Sequence, residues 1–415
     1  MDLFDRIRQN AGPLGQYAQI AEGYYIFPKL YGEICNHMIF NDKEVIVWSV
    51  NNYLGLANHP EVRRVDAESA KHWGLAYPMG SRMMSGNTEK HIQLEKELAE
   101  FVQKPAGFLV NYGYQGMSSA LDALLSRKDV VVYDSDCHAC IVDGVRMHMG
   151  HRFVFDHNDM ASLEKNLQRA VQIIKKSGGG ILVITEGVFG MRGEQGNIRG
   201  IVKLKEHYPF RLLVDDAHGF GTLGDTGAGA GEHQGVQDEI DIYFSTFAKS
   251  LAGIGAFFAG PSDIIQYLKY NTRSQIFAKS LPLAFVEGAA KRLELLQTHP
   301  ELKENLWKIA NALQLGLREA GFDLGSTNSC VTPIILHGSV VEAMGLVRDL
   351  RDTYGIFCSI VVYPVIPKGM MIIRLIPTAA HTMDDVKLTI KAFEQINRKL
   401  KKGLYNRDIS ILKAG

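Results

Sequence analysis

A mostly parallel α/β sheet with helices on both faces, joined to a smaller α+β domain, is the fold class this sequence predicts. Two observations carry it. Short β-branched apolar runs (Val130 to Tyr133, Ile181 to Thr185, Leu212 to Val214) are too uniformly apolar to be half-exposed strands, and stretches of helical periodicity separate them. The chain of 415 residues also exceeds what one small core organises, so a large domain with a smaller companion is expected.

The elements follow in order. Met38 to Trp48 reads as two short strands about the turn Asn41-Asp42-Lys43. Glu89 to Gln103 carries Leu94, Leu98, Phe101 and Val102 on one helical stripe, with Thr88 as N-cap. Asn111-Tyr112-Gly113-Tyr114-Gln115-Gly116 precedes a helix-compatible stretch from Met117 to Leu125. Met160, Leu163, Leu167, Val171 and Ile174 recur at three and four, so a second amphipathic helix is predicted. After about Pro300 the rhythm changes. A helix from Glu301 leads to a strand over Val331 to Leu336 and a helix over Val341 to Arg351. Strands over Ile356 to Val362 and Met371 to Leu375 and a helix from Met383 complete the chain.

Composition removes several functional classes. Lysine plus arginine equals aspartate plus glutamate, 45 each, so no net field draws the protein to nucleic acid or anionic membrane. No apolar run is long enough to span a bilayer, and Leu251 to Gly260 is short and glycine-broken. The N-terminus Met1-Asp2-Leu3-Phe4-Asp5-Arg6 shows no signal-peptide pattern. Five scattered cysteines fit a reducing compartment, so a cytoplasmic location is expected.

His138, Glu186, Asp215 and Lys249 each fall just after a predicted strand. Open α/β sheets bind ligands beyond the carboxyl ends of their strands. A lysine ammonium at a strand end is costly to bury unless it is paired, and it becomes nucleophilic when desolvated. A lysine with a carboxylate from a neighbouring strand end is what pyridoxal phosphate (PLP) chemistry needs: a Schiff-base lysine and an acidic partner for the pyridine nitrogen. Asp215 and Asp216 are adjacent and point opposite ways, so one of them, most simply Asp215, faces the site. Thr246 and Ser250 flank Lys249 with hydroxyls suited to a phosphate. Gly113 and Tyr114 open a helix whose backbone N–H groups suit the same anion. Arg374 is a charge inside an apolar strand and calls for a carboxylate partner.

Two motifs are set aside. Gly219-Phe220-Gly221-Thr222-Leu223-Gly224 matches a dinucleotide fingerprint, but a glycine-rich run follows where that fingerprint needs a helix. Cys137-His138-Ala139-Cys140 has CxxC spacing without a second pair, so the two thiols read as small buried side chains and no metal site is predicted.

The chain resembles the α-oxoamine synthases, a branch of fold-type I PLP enzymes. The resemblance rests on Asn51-Asn52-Tyr53-Leu54-Gly55-Leu56, Asp134-Ser135-Asp136-Cys137-His138-Ala139, His157-Asn158-Asp159, Thr185-Glu186-Gly187-Val188-Phe189, Val214-Asp215-Asp216-Ala217-His218-Gly219, Thr246-Phe247-Ala248-Lys249-Ser250 and Thr378-Ala379-Ala380-His381-Thr382. It implies a seven-stranded-type sheet in a large PLP domain over 51–300. It implies a small α+β domain over 301–415, with 1–50 an N-terminal segment belonging to the small domain. It implies that Lys249 is the Schiff-base lysine and catalytic base and that His138 stacks on the pyridine ring. Asp215 would pair with the ring nitrogen and His218 with the ring hydroxyl. Gly113, Tyr114 and Thr246 would hold the phosphate, Glu186 would line the cofactor site, and Ser280 would reach the phosphate from the partner subunit of a homodimer. Asn51 and Arg374 would hold the amino-acid carboxylate. The implied reaction is a decarboxylative Claisen condensation of an amino acid with an acyl thioester.

Departures from the family pattern cluster around the pocket. Gly190 stands where a serine is usual, and Arg192 replaces an acidic residue. Leu75-Ala76-Tyr77-Pro78 replaces a Gly-Thr-Gly element ahead of Gly80-Ser81-Arg82, and Ala278 and Lys279 replace small polar residues. An added cation at Arg192 and open space at Gly190 suit an amino acid with an anionic side chain. The leading reading is therefore fatty-acyl transfer to serine or to its sulfonate analogue cysteate. Glycine C-acetyltransferase is the alternative, toward which Tyr363-Pro364-Val365-Ile366-Pro367-Lys368-Gly369 leans, followed by 8-amino-7-oxononanoate synthase. A non-catalytic partner of this fold is disfavoured by the joint presence of Lys249, His138 and Asp215. The acyl donor is a CoA or acyl carrier protein thioester.

Overall fold

The computed structural model describes residues 2–10, 12–15, 17–363, 366 and 369–405. The chain divides into two compact units: Met1–Val50, Met191–Gly193 and Asn305–Gly415 form one, and Asn51–Gly190 with Glu194–Glu304 form the other.

The larger unit is built on a seven-stranded sheet. Its strands run in the order Ala106–Val110, Ala256–Gly260, Ile242–Thr246, Arg211–Asp215, Ile181–Glu186, Val130–Asp134, His151–Phe155. Only Ala256–Gly260 runs against its neighbours; the other pairings are parallel. Ile181–Glu186 and Ile242–Thr246 are buried at every position, which is why the sequence shows apolar runs rather than alternation. Phe108, Val110, Val131, Ile184, Leu213, Phe244 and Phe258 join Met117, Leu121, Ile141 and Val145 in one core cluster of strands and covering helices.

The helices begin where local chemistry allows. Thr88 caps Glu89–Phe101 by accepting from the His91 N–H. Asp159 caps Met160–Ser177 through the N–H groups of Ala161 and Ser162. The helix expected from Met117 starts earlier and spans Gly113–Leu124. Two glycines hid its first turn from a propensity reading, but Gly116 is needed there, since a Cβ would lie 2.5 Å from Val110 Cγ2.

The smaller unit holds two three-stranded sheets: His37–Phe40, Lys43–Val47, Ile356–Phe357 and Thr332–His337, Met370–Leu375, Ser359–Val361. The hairpin expected at Asn41-Asp42 forms, with both residues at positive φ. The single strand expected over Ile356 to Val362 is instead two strands in different sheets. At the break, the Cys358 carbonyl accepts from the buried Arg351 guanidinium. The helix expected over Val341 to Arg351 runs over Val340–Tyr354 and opens with a capping box between Ser339 and Glu342. Part of the Tyr363 to Gly369 run (364, 365, 367 and 368) lies outside the described residues. No helix of the described residues is long and apolar enough to cross a membrane.

Candidate active site

Asp215 ends its strand with its side chain buried. Its Oδ1 accepts the Ala217 N–H at 3.1 Å, and its Oδ2 lies 3.9 Å from Cys140 Sγ. Burial, the largest influence, raises its pKa, opposed chiefly by the charge of Lys249. The carboxylate thus sits in a dry place, biased toward cationic partners. Lys249 follows the buried strand Ile242–Thr246 and is half-buried.

His138 is the N-cap of Ala139–Met147, its Nδ1 accepting from the Cys140 N–H at 3.3 Å. The same nitrogen lies 3.0 Å from Cys140 Sγ. The residue as a whole is exposed, while the Nδ1 side of its ring packs against the chain. Desolvation of that side is the largest influence and lowers its pKa, keeping the ring neutral. Because Nδ1 accepts a backbone N–H, the proton of the neutral ring belongs on Nε2. Glu186 is buried and accepts from the His138 backbone N–H. Its pKa is raised, by burial first and then by the Asp215 charge. Cys140, which touches both His138 and Asp215, was missed as a site residue; sequence presented it only as half of a CxxC. Both thiols are free and buried, and burial pushes both up in pKa, which leaves them unreactive.

Asp216 turns away from its neighbour, as the two-residue period of a strand end requires. Its Oδ2 accepts from the Ala230 N–H at 2.8 Å and from Tyr243 Oη at 3.1 Å. His218 is buried, and its Nδ1 lies 2.6 Å from Tyr53 Oη. That partnership spans most of the large unit in sequence, so no local pattern predicted it.

The helix that opens at Gly113 stands against Thr246. A Cβ at Gly113 would come within 3.3 Å of Thr246 Cβ and Oγ1. Asn111 Nδ2 donates to the Lys279 carbonyl, which brings the segment carrying Ser280 to the start of this helix. Ser280 Oγ is buried without a hydrogen-bond partner and packs near Gly86. The Tyr114 side chain is exposed and donates to Asp143. Gly113, Thr246 and the Ser280 segment are therefore brought together at one helix N-terminus, an arrangement suited to a phosphate.

The residues expected to hold the amino acid divide between the units. Asn51 belongs to the larger unit, and its Oδ1 is buried with no hydrogen-bond partner. Arg374 and Arg192 belong to the smaller unit, where Arg374 Nη1 lies 3.8 Å from the sulfur of Met191, the residue before Arg192. Separately, Asp134, Asp136 and His157 bring ligand atoms within 4.8 Å of one another. Hydrogen bonds account for that cluster: Asp134 Oδ1 accepts from the Asp136 N–H and pairs with His157 Nδ1, each at 2.9 Å.

The aminotransferase class I and II family profile matches residues 43–393. The chain is 63% identical over 404 residues to a cysteate-C-fatty acyltransferase from Capnocytophaga ochracea, covering 97% of this chain and 96% of the relative. It is 35% identical over 373 residues to a serine palmitoyltransferase from Sphingobacterium spiritivorum, covering 90% of this chain and 92% of the relative. A solved serine palmitoyltransferase from S. paucimobilis with a bound PLP–myriocin aldimine superposes with a TM-score of 0.88 at 25% identity, covering 97% of this chain and all of that one.

Proposed function

We propose, from the premise that this chain belongs to the aminotransferase class I and II family and within it to the α-oxoamine synthases, that it condenses cysteate with a fatty acyl thioester. Carbon dioxide is released and the product is the 3-keto base of sulfonolipid synthesis. The observation that carries the choice of cysteate is the 63% identity, across nearly the full length of both chains, to a cysteate-C-fatty acyltransferase. The cationic Arg192 supports it.

The cofactor is pyridoxal 5'-phosphate, which when bound supplies an electron sink for charge developing at the amino acid's Cα. The residues present fit it. A dry carboxylate at Asp215 is matched to a ring nitrogen that stays protonated, and the helix N-terminus at Gly113 with Thr246 is matched to the phosphate. In this reading Lys249 holds the cofactor covalently and, once released, its Nζ takes the Cα proton. His138 packs on the ring, and its neutral state avoids a second cation there. His218 bonds the ring hydroxyl, Glu186 buttresses His138 through its backbone N–H, and Gly113 and Tyr114 N–H groups with Thr246 bind phosphate. Asn51 and Arg374 hold the amino-acid carboxylate, and Arg192 binds the sulfonate by charge-assisted hydrogen bonds. A homodimer is the expected assembly. Ser280 would then reach the phosphate of the partner's site.

The test is a titration of the purified yellow protein with cysteate, serine, glycine and alanine, read by visible absorbance and followed by product analysis with a fatty acyl thioester. Cysteate saturating at the lowest concentration, with a keto sulfonate product, is the expected result. A protein whose spectrum responds to glycine alone sinks the fatty-acyl reading and restores the acetyltransferase.

A further inference from the structure

The smaller unit holds a cavity of about 520 Å³, a volume in the range of small-molecule sites. Its wall comes from four stretches of chain. Tyr17 belongs to the N-terminal segment, Val340 opens the helix Val340–Tyr354, Val362 and Tyr363 follow the strand Ser359–Val361, and Met370 and Met371 begin the strand Met370–Leu375. Among the described residues of this wall there is no charged side chain. Such a lining offers no charge to a phosphate or a carboxylate, and its methionines adapt to a flexible apolar ligand. The position of the cavity is a second observation. Side chains alternate along a strand, so Met370, Ile372 and Arg374 share one face of Met370–Leu375, while Ile373 and Leu375 on the other face join the core cluster. Ile372 is fully buried, and its cross-strand neighbours on the same face, Ile335 and Val361, are half-buried. The face thus passes from a guanidinium at one end, through aliphatic side chains, to the cavity at the other.

We propose that this cavity takes the far end of the fatty acyl chain and so reads its length. The inference rests on the fatty-acyl reading above. There, Arg374 holds the carboxylate of the amino acid whose Cα is joined to the acyl carbon, so the acyl tail starts near that guanidinium. From Arg374 to Met370 along the strand is roughly 13 Å, the reach of about ten carbon–carbon bonds of an extended chain. The outer carbons of a long chain therefore arrive at Met370, where the apolar wall begins. An acetyl group ends far short of it, so the cavity has a use in long-chain transfer and none in acetyl transfer. Tyr363 and Gly369, the two ends of the run that leaned toward the acetyltransferase, both line it.

The first experiment labels the wild-type, PLP-loaded full-length protein. A sixteen-carbon acyl thioester with a diazirine at its terminal carbon is irradiated on the enzyme, and the labelled peptides are identified by mass spectrometry. Label on peptides holding Tyr17, Val340 or Met370, suppressed by unlabelled palmitoyl thioester, is the expected result. Label confined to the larger unit overturns the proposal. The second experiment measures kcat/KM with cysteate for a sixteen-carbon and an eight-carbon donor, below their micelle concentrations. Each donor is offered as the thioester of CoA and of an acyl carrier protein, and the better carrier is used. Burying one methylene is worth about fourfold in affinity. Val340→Phe and Val362→Phe each fill the cavity, and each should lower the sixteen-to-eight ratio about tenfold, the worth of roughly two displaced methylenes. A ratio unchanged in both variants overturns the proposal; the labelling result decides it if neither variant folds. A wild-type protein that turns over an acetyl donor and no long-chain donor sinks the fatty-acyl reading itself. One that turns over the long donor but is labelled elsewhere sinks only the cavity assignment.

Discussion

Asp216 offers a stability measurement with a definite sign. The carboxyl is fully buried, and burial, the largest influence, pushes its pKa up to about 7 from 3.8. In the unfolded chain it ionises near 3.8. The folded state therefore binds this proton more tightly, so the group favours folding at low pH and that contribution is lost as pH rises from about 4 to about 7. Integrating the linkage gives a cost of about 2 kcal/mol at pH 5 and about 4 kcal/mol at pH 8. Asp216→Asn replaces the ionisable group with a neutral one that still accepts from the Ala230 N–H. Any penalty for the new amide donor is the same at both pH values. Relative to wild type, the variant should therefore gain about 2–3 kcal/mol between pH 5 and pH 8. Urea unfolding of the PLP-free proteins at the two pH values measures this difference of differences. An unchanged gap between wild type and variant would refute the reasoning, showing that the three glycines around Asp216 do not keep it dry.

Further expectations follow from the same site. Lys249→Ala should leave no borohydride-fixed PLP and no condensation product; product formation by that variant removes Lys249 from catalysis. Arg192→Ala should raise KM for cysteate at least tenfold, about the worth of one charge-assisted hydrogen bond, and leave glycine or serine unaffected. An equal loss for every amino acid argues against sulfonate recognition. Gly187→Ala places a Cβ 1.8 Å from Asp216 Oδ1 and should cost about 1–3 kcal/mol of stability, seen as a lowered Tm. His157 bridges Asp134 at 2.9 Å and Glu194 at 2.8 Å. Burial would lower its pKa, but the hydrogen bonds and charges of the two carboxylates outweigh that and raise it. The bridge thus stabilises fully below the ordinary histidine value and is lost as pH climbs through the raised one. His157→Gln should flatten the wild-type decline in Tm above about pH 6.5; an unchanged slope refutes the bridge.

Much of the fold was readable because its central strands are buried on both faces. Continuous runs such as Ile181–Glu186 end abruptly in a polar residue, and such strand ends are where open α/β sheets generally bind ligands. Asp215 and Asp216 were separable on strand periodicity alone, and their carboxylates do go different ways, one toward Cys140 and the other toward Ala230 and Tyr243. What stayed hidden depends on residues distant in sequence. The Tyr53–His218 bond joins positions 165 apart. Nothing local says that Met191–Gly193 folds with residues beyond 305. The break at Cys358 was invisible because strong strand formers, Ile356 and Phe357 before it and Ile360, Val361 and Val362 after it, flank it on both sides. The break coincides with the carbonyl that Arg351 holds.

The same physics changes how the departures from the family pattern should be weighed. At the strand ends of the larger unit, backbone stands in for side chains. A Cβ at Gly187, Gly219 or Gly229 would meet a carboxylate oxygen of Asp216 within about 2 Å, and one at Gly190 would meet His218 at 2.1 Å. Such glycines are constrained by the polar group they admit. Gly190 departs from the family pattern while His218, the group it faces, keeps it. Arg192 belongs to the smaller unit and follows Met191, whose sulfur lies 3.8 Å from Arg374 Nη1. If Arg192 binds the sulfonate as proposed, Arg192→Ala should reorder the amino acids, with cysteate falling furthest, and an unchanged ranking would remove Arg192 from substrate choice.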